Sequence, residues 1–252
     1  MSKKPDPIDS PKRRLARAKQ HIRRLEKRIQ TFFKGKPGGP ITEVDPDGST
    51  IHAFNLLAKS PIVGLMPPSK RSRPFVLPST NASAAVLGGV AEPKNAYFPF
   101  ADTAIDLDAI TKGRCKDLRP EISTLFRSFD SHQGGNCALW ALNKLCNANK
   151  HRLLIPVGIT SGGMGINHMV ASVGVSIPAP VYDRAKHQIV TARVSPDATL
   201  QYDMQLSFIV AFDDFNGVEG DPAVGILDAI ASEVNRVLRA AEAECKRIGL
   251  IT

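Results

Sequence analysis

The chain's fold is most tightly restricted by a change of hydrophobic period partway along it. Up to about residue 150 the apolar residues recur at threes and fours, the spacing of helices that bury one side. Over residues 152–215 they recur at twos: Met204, Leu206, Phe208, Val210 and Phe212 alternate with Gln205, Ser207, Ile209, Ala211 and Asp213. An apolar face backed by a mixed one marks an antiparallel sheet covered on one side. Strands are expected over 153–159, 167–177, 187–195 and 204–213. The joins Pro178-Ala179-Pro180 and Ser195-Pro196-Asp197 are too short for crossover helices. From Asp221-Pro222 the helical period returns, with Leu227, Ile230, Val234, Val237, Leu238, Ala241, Cys245 and Ile248 on one stripe and Gly249 as its stop. The expectation is an α+β fold: an N-terminal helical part, an antiparallel sheet of about four to five strands, and a long C-terminal helix.

The first helix carries the clearest local pattern. Ser10 reads as its cap and Pro11 as its first helical position, where a missing N–H costs nothing. Leu15, Ala18, Ile22, Leu25, Ile29 and Phe32 then form a heptad-like stripe of coiled-coil type, and Gly35 reads as the stop. The other face holds Arg13, Arg14, Arg17, Arg24, Lys27 and Arg28, with Glu26 the only acid. The formal net charge of +9 is concentrated here. Residues 1–36 carry 13 Lys/Arg and 3 Asp/Glu, whereas the other 216 carry 20 and 21.

Three uses suit such a helix. Its stripe can pack on the C-terminal helix or, in a homodimer, on its own copy. Its arginines can hold nucleic-acid phosphates weakly and without reading bases. Its stripe can also enter anionic headgroups. Packing ranks first, because a stripe committed to protein cannot also enter a membrane.

Three regions follow. Residues 1–36 form the basic amphipathic arm. Residues 37–95 hold a short helix over 50–59, capped by Ser49 with Ile51, Phe54, Leu57 and Ala58 inward, and then a Pro/Ser-rich loop expected to be poorly ordered. Residues 96–252 form the α+β core, with helices within 105–148, strands within 153–213 and a helix over 222–248. Tyr97-Phe98-Pro99-Phe100 reads as an extended edge segment, and Asn136 as a helix cap.

Several function classes lack support. No apolar run is long enough to span a membrane, and none follows the charged N-terminus, so a cytoplasmic protein is expected. Cys115, Cys137, Cys146 and Cys245 form no CxxC pair and read as free thiols. Ser161-Gly162-Gly163-Met164-Gly165 has the spacing of neither a dinucleotide fingerprint nor a Walker loop and reads as a hairpin. Asp213, Asp214, Glu219 and Asp221 lack EF-hand spacing. No metal site or cofactor is expected.

The run from Gly134 through Leu139-Trp140 and Leu142 to Lys150-His151-Arg152-Leu153-Leu154 resembles a block found in a group of bacterial proteins, frequent in actinobacteria. His21-Ile22-Arg23-Arg24-Leu25-Glu26, Val210-Ala211-Phe212-Asp213 and the last helix are similar to the same group. The resemblance implies architecture and brings no assigned activity. Where that group carries a helix reading roughly LRSALDHL, this chain has Pro61–Val90, which reads either as a functional loop or as a frame-disrupted coding segment.

Two pairs are catalytic candidates. His151 and Arg152 stand at a helix-to-strand turn, where imidazole suits a general base but also suits a helix end whose carbonyls it can bond. Arg127 and His132 have four residues between them, and this spacing resembles the Arg-x₄₋₆-His pattern of HEPN ribonucleases. That resemblance implies metal-independent RNA cleavage, with histidine activating the 2′-hydroxyl and arginine stabilising phosphate charge. His132 departs from the pattern by lying beside Gln133-Gly134-Gly135, already in a turn. The expected function is a non-catalytic binding or protein-interaction domain. The alternative is a HEPN-like ribonuclease, or a weak nucleic-acid binder acting through the first helix.

Overall fold

The computed structural model describes residues 8–35, 38–56, 94–151, 157–179, 182–183, 186, 188–212 and 221–251. Among these the order is α1 (Asp9–Lys34), β1 (Gly38–Val44), β2 (Thr50–Leu56), α2 (Ala104–Arg114), α3 (Pro120–Arg127), α4 (Cys137–His151), β3 (Val157–Ala171), β4 (Val175–Ser176), β5 (Tyr182–Asp183), β6 (Gln188–Val194), β7 (Leu200–Phe212) and α5 (Ala223–Arg247). The fold is α+β, with antiparallel sheet and a long C-terminal helix. The expected loop over 60–95 and its frame-disrupted alternative fall almost wholly outside the described residues.

The strands group differently from the expectation. β1, β2, β6 and β4 run side by side, with β5 also on β6, while β3 and β7 form a separate two-stranded ribbon. The 152–215 stretch therefore does not make one sheet of its own. Two of its strands pair only with each other, and the rest join strands from residues 38–56.

Over Thr50–Leu56 the expected helix is instead strand β2, and the rest of that expected helix, 57–59, lies outside the described residues. The cause lies just before β2. Asp45-Pro46-Asp47-Gly48-Ser49 is a tight turn in which the Asp45 N–H donates to the Ser49 carbonyl at 2.8 Å. Gly48 takes a φ of 80°, where a side chain would be strained. Ser49 is no helix cap, because its N–H and hydroxyl both donate to Asp47 Oδ1, at 2.9 and 2.6 Å. Across the turn Ile41 faces Ala53 and Val44 faces Thr50, so β1 and β2 are a hairpin.

Ser161–Gly165 is likewise no hairpin. It runs inside β3, paired with Phe208–Gln205 across a register shift between Ser161 and Gly163. A Cβ on Gly162 would stand 2.9 Å from Ile209 Cγ2, so the close approach of β7 requires glycine there. At α1, Ile8 occupies the cap position with no side-chain bond, and Ser10 lies within the first turn.

α5 organises the core by presenting two faces. Ile230, Val234 and Leu238 meet Leu15 and Ile22 of α1, Leu142 and Leu145 of α4, and Val210 and Phe212 of β7. Val237, Ala241 and Cys245 meet Phe98, Cys115, Leu118, Ile122, Phe126 and Leu139. Each such large side chain stabilises the fold by about 1.5–3 kcal/mol when taken from water. The α1 stripe is thus committed to α5, and Lys12 Nζ reinforces the contact 2.6 Å from Glu242.

Candidate functional site

α1 displays the most concentrated charge. Leu15 and Ile22 are buried, whereas Arg13, Arg14, Arg17, Arg24, Lys27 and Arg28 are all exposed. The reason is helical geometry: at about 100° per residue, Arg24 comes out opposite Leu15, with Arg17 close to the same line. From Arg13 to Arg28 the row spans about 22 Å at 1.5 Å per residue. Only Asp9 and Glu26 oppose it within the helix, and Glu26 accepts from Gln30 Nε2 at 3.5 Å. Arg13 Nε donates to the Asp9 carbonyl at 3.4 Å, and the cation of Lys12 is taken by Glu242. The arrangement can hold a row of anions without burying any of its own charge.

The ribonuclease-like pair sits elsewhere, where α3 turns into α4. Arg127 ends α3, and two carboxylates hold it: Nε donates to Asp108 of α2, and Nη1 lies 2.7 Å from Asp130. The Asp108 bond, then the Asp130 bond, push its pKa above the ordinary arginine value. Asp130 is a local (i,i+3) partner, but Asp108 is not marked as one in the sequence, since it is 19 residues away and only the packing of α2 on α3 brings it near.

His132 is only 9% exposed, its ring lying against Gly134 and Gly135. A Cβ at Gly135 would collide with the Asp130 carbonyl oxygen and stand 2.8 Å from Nε2, so glycine there makes room for both the turn and the imidazole, whereas Gly134 meets the ring only at ordinary contact distance. The turn is fixed by its backbone. Asp130 takes a φ of 49°, and its carbonyl accepts from His132 and Asn136 N–H at 2.8 and 2.6 Å. Among the described residues no hydrogen bond or ion pair joins Arg127 to His132.

Asn136 is the cap that its position suggests, with Oδ1 accepting from the Leu139 N–H at 3.1 Å. Its Nδ2 also donates to Glu233 of α5 at 2.8 Å. His151 closes α4; its side chain and the whole of Arg152, and with them this second pair, lie outside the described residues. Asp213, Asp214 and Glu219 also lie outside them. Among the described residues there is no group of three His, Cys, Asp or Glu that could hold a metal ion, and no helix long and apolar enough to cross a membrane. None of the four cysteines forms a disulfide; Cys115 and Cys245 are buried and Cys137 is exposed. Comparison with protein-family models, with curated proteins and with solved structures finds no match to this chain.

Proposed function

We propose that the chain is a non-catalytic binding domain that holds nucleic acid by its phosphates, through the solvent face of α1. The observation that carries this reading is the division of α1: its apolar stripe is buried on α5 while six basic side chains remain in water. A stripe so occupied leaves no apolar face for headgroups, which disfavours a membrane surface. The ribonuclease reading asks Arg127 to meet a phosphate that two carboxylates already displace.

The test uses the full chain and a variant with Arg17→Gln, Arg24→Gln and Lys27→Gln, titrated into labelled duplex DNA by fluorescence anisotropy. Parent affinity should fall steeply between about 50 and 200 mM salt. The variant should bind more weakly, with a salt slope shallower by about 0.9 for each phosphate that is no longer neutralised. Equal affinity and equal slope in the two proteins would refute the proposal.

A further inference from the structure

A second cationic tract lies where α2 gives way to α3. Lys112 and Arg114 end α2, Lys116 and Arg119 follow it, and Lys94 is brought alongside; all five are exposed. Backbone bonds hold the two segments together. Tyr97 N–H donates to the Arg114 carbonyl at 3.0 Å, and Asp117 N–H to the Asn95 carbonyl at 3.3 Å.

Two acids, Asp117 and Glu121, lie beside these cations. Asp117 accepts from the Lys94 and Asn95 N–H groups at 2.9 and 2.7 Å, and the Asn95 bond leads in holding its carboxyl below the ordinary range. Glu121, in the first turn of α3, is an exposed counter-charge two residues from Arg119, against five cations in the tract. The dipole of α2 favours cations at its C-terminus and accounts for Lys112 and Arg114, but not for Lys94, Lys116 or Arg119, which lie outside the helix.

Tyr97 stands within this tract. Among the aromatic rings whose exposure is described it alone is exposed, at 46%, while its neighbour Phe98 is buried among Phe100, Phe126 and Phe129. Its main chain is fixed at both ends, since its carbonyl accepts from Cys115 Sγ at 3.0 Å. A ring anchored on a rigid backbone amid exposed cations has the chemistry that recognises an unstacked base and its flanking phosphates.

We infer that this tract binds single-stranded nucleic acid, with Tyr97 stacking on a base and Arg114 and Lys116 meeting phosphates. The inference rests on the nucleic-acid reading above and adds strand type to it. α1 offers charge alone and suits any polyanion, whereas a stacking ring selects a strand whose bases are free.

The experiment uses the full chain, a labelled single-stranded oligouridine and a duplex of equal length. Tyr97→Ala should weaken single-strand binding roughly ten-fold and Tyr97→Phe should restore it, since stacking needs the ring and not the hydroxyl. Arg114→Gln with Lys116→Gln should make the single-strand salt slope shallower by about 0.7 per phosphate released, with duplex binding unchanged. Circular dichroism of each variant should match the parent, all three positions being exposed. Unchanged single-strand affinity in Tyr97→Ala would overturn the inference, as would an equal loss on duplex. If the α1 variant binds normally while the tract variants fail, the α1 reading falls and this one stands. The reverse result removes the tract alone.

Discussion

At Glu233 one carboxylate ties three parts of the molecule together. It accepts from Asn136, the cap of α4, and at 2.9 Å from Arg236 Nε, whose guanidinium lies 4.7 Å from the ring centre of Phe129. Arg236 chiefly, and Asn136 after it, hold the Glu233 carboxyl below its ordinary value of 4.5. A depressed folded-state pKa contributes stability that is fully present above the unfolded value and is lost as pH falls through the folded one. Glu233→Gln should therefore be less stable than the parent near pH 7. The gap should close as the pH falls below the ordinary carboxylate value towards about pH 3. Urea melts across that range would show it, and a gap independent of pH would remove the electrostatic explanation. Asn136→Ala loses both the cap and the bond to α5, and should cost about 1 kcal/mol or somewhat more.

Among the elements, burial decides what a side chain is worth. Leu139 on α4 is completely buried between α3 and α5, while Ile105 on α2 is 84% exposed. Leu139→Ala should cost about 2–5 kcal/mol by opening a cavity, and Ile105→Ala should stay within about 0.5 kcal/mol of the parent. Denaturant midpoints of the two variants give the comparison directly; similar losses would mean that Ile105 is covered in solution. Burial also separates the strands. β6 pairs with β2 on one side and with β4 and β5 on the other, and five of its seven residues are buried, as suits a central strand. β7 presents Phe208 to Phe33 of α1 and Phe54 of β2, at 5.9 and 5.1 Å between ring centres, so this ribbon strand joins the first helix to the other sheet.

For the molecule as a whole, α1 is part of the core and not an appendage. Leu15 and Ile22 are buried against α5, with Ile29, Phe32 and Phe33 packed beside them. At about 1.5–3 kcal/mol for each fully buried side chain, removing the helix takes away an amount comparable with a domain's entire stability of about 5–15 kcal/mol. A chain beginning at Gly38 should lose its cooperative melt by circular dichroism. A sharp transition at the parent's temperature would show the helix to be dispensable. Much of this architecture was legible in the sequence. The stripes of α1 and α5, the cap at Asn136 and the α+β class all follow from local periodicity and capping chemistry, which neighbouring residues settle among themselves. The β1–β2 hairpin was not read from the sequence: Ser49 followed by apolar residues imitates a helix start over 50–59, whereas the Pro46-Asp47-Gly48 turn between Ile41–Val44 and Thr50–Ile51 prevails in the fold. What the tertiary structure alone decided is which strands pair and which charges meet. β2 joins β6 across more than 130 positions, Asp108 reaches Arg127 from a different helix, and segment 94–97 is tied to 114–117 by backbone bonds, the Tyr97 N–H on the Arg114 carbonyl. Such pairings depend on how whole elements dock, and hydrogen bonds and ion pairs between distant residues leave no periodic trace in the chain that makes them.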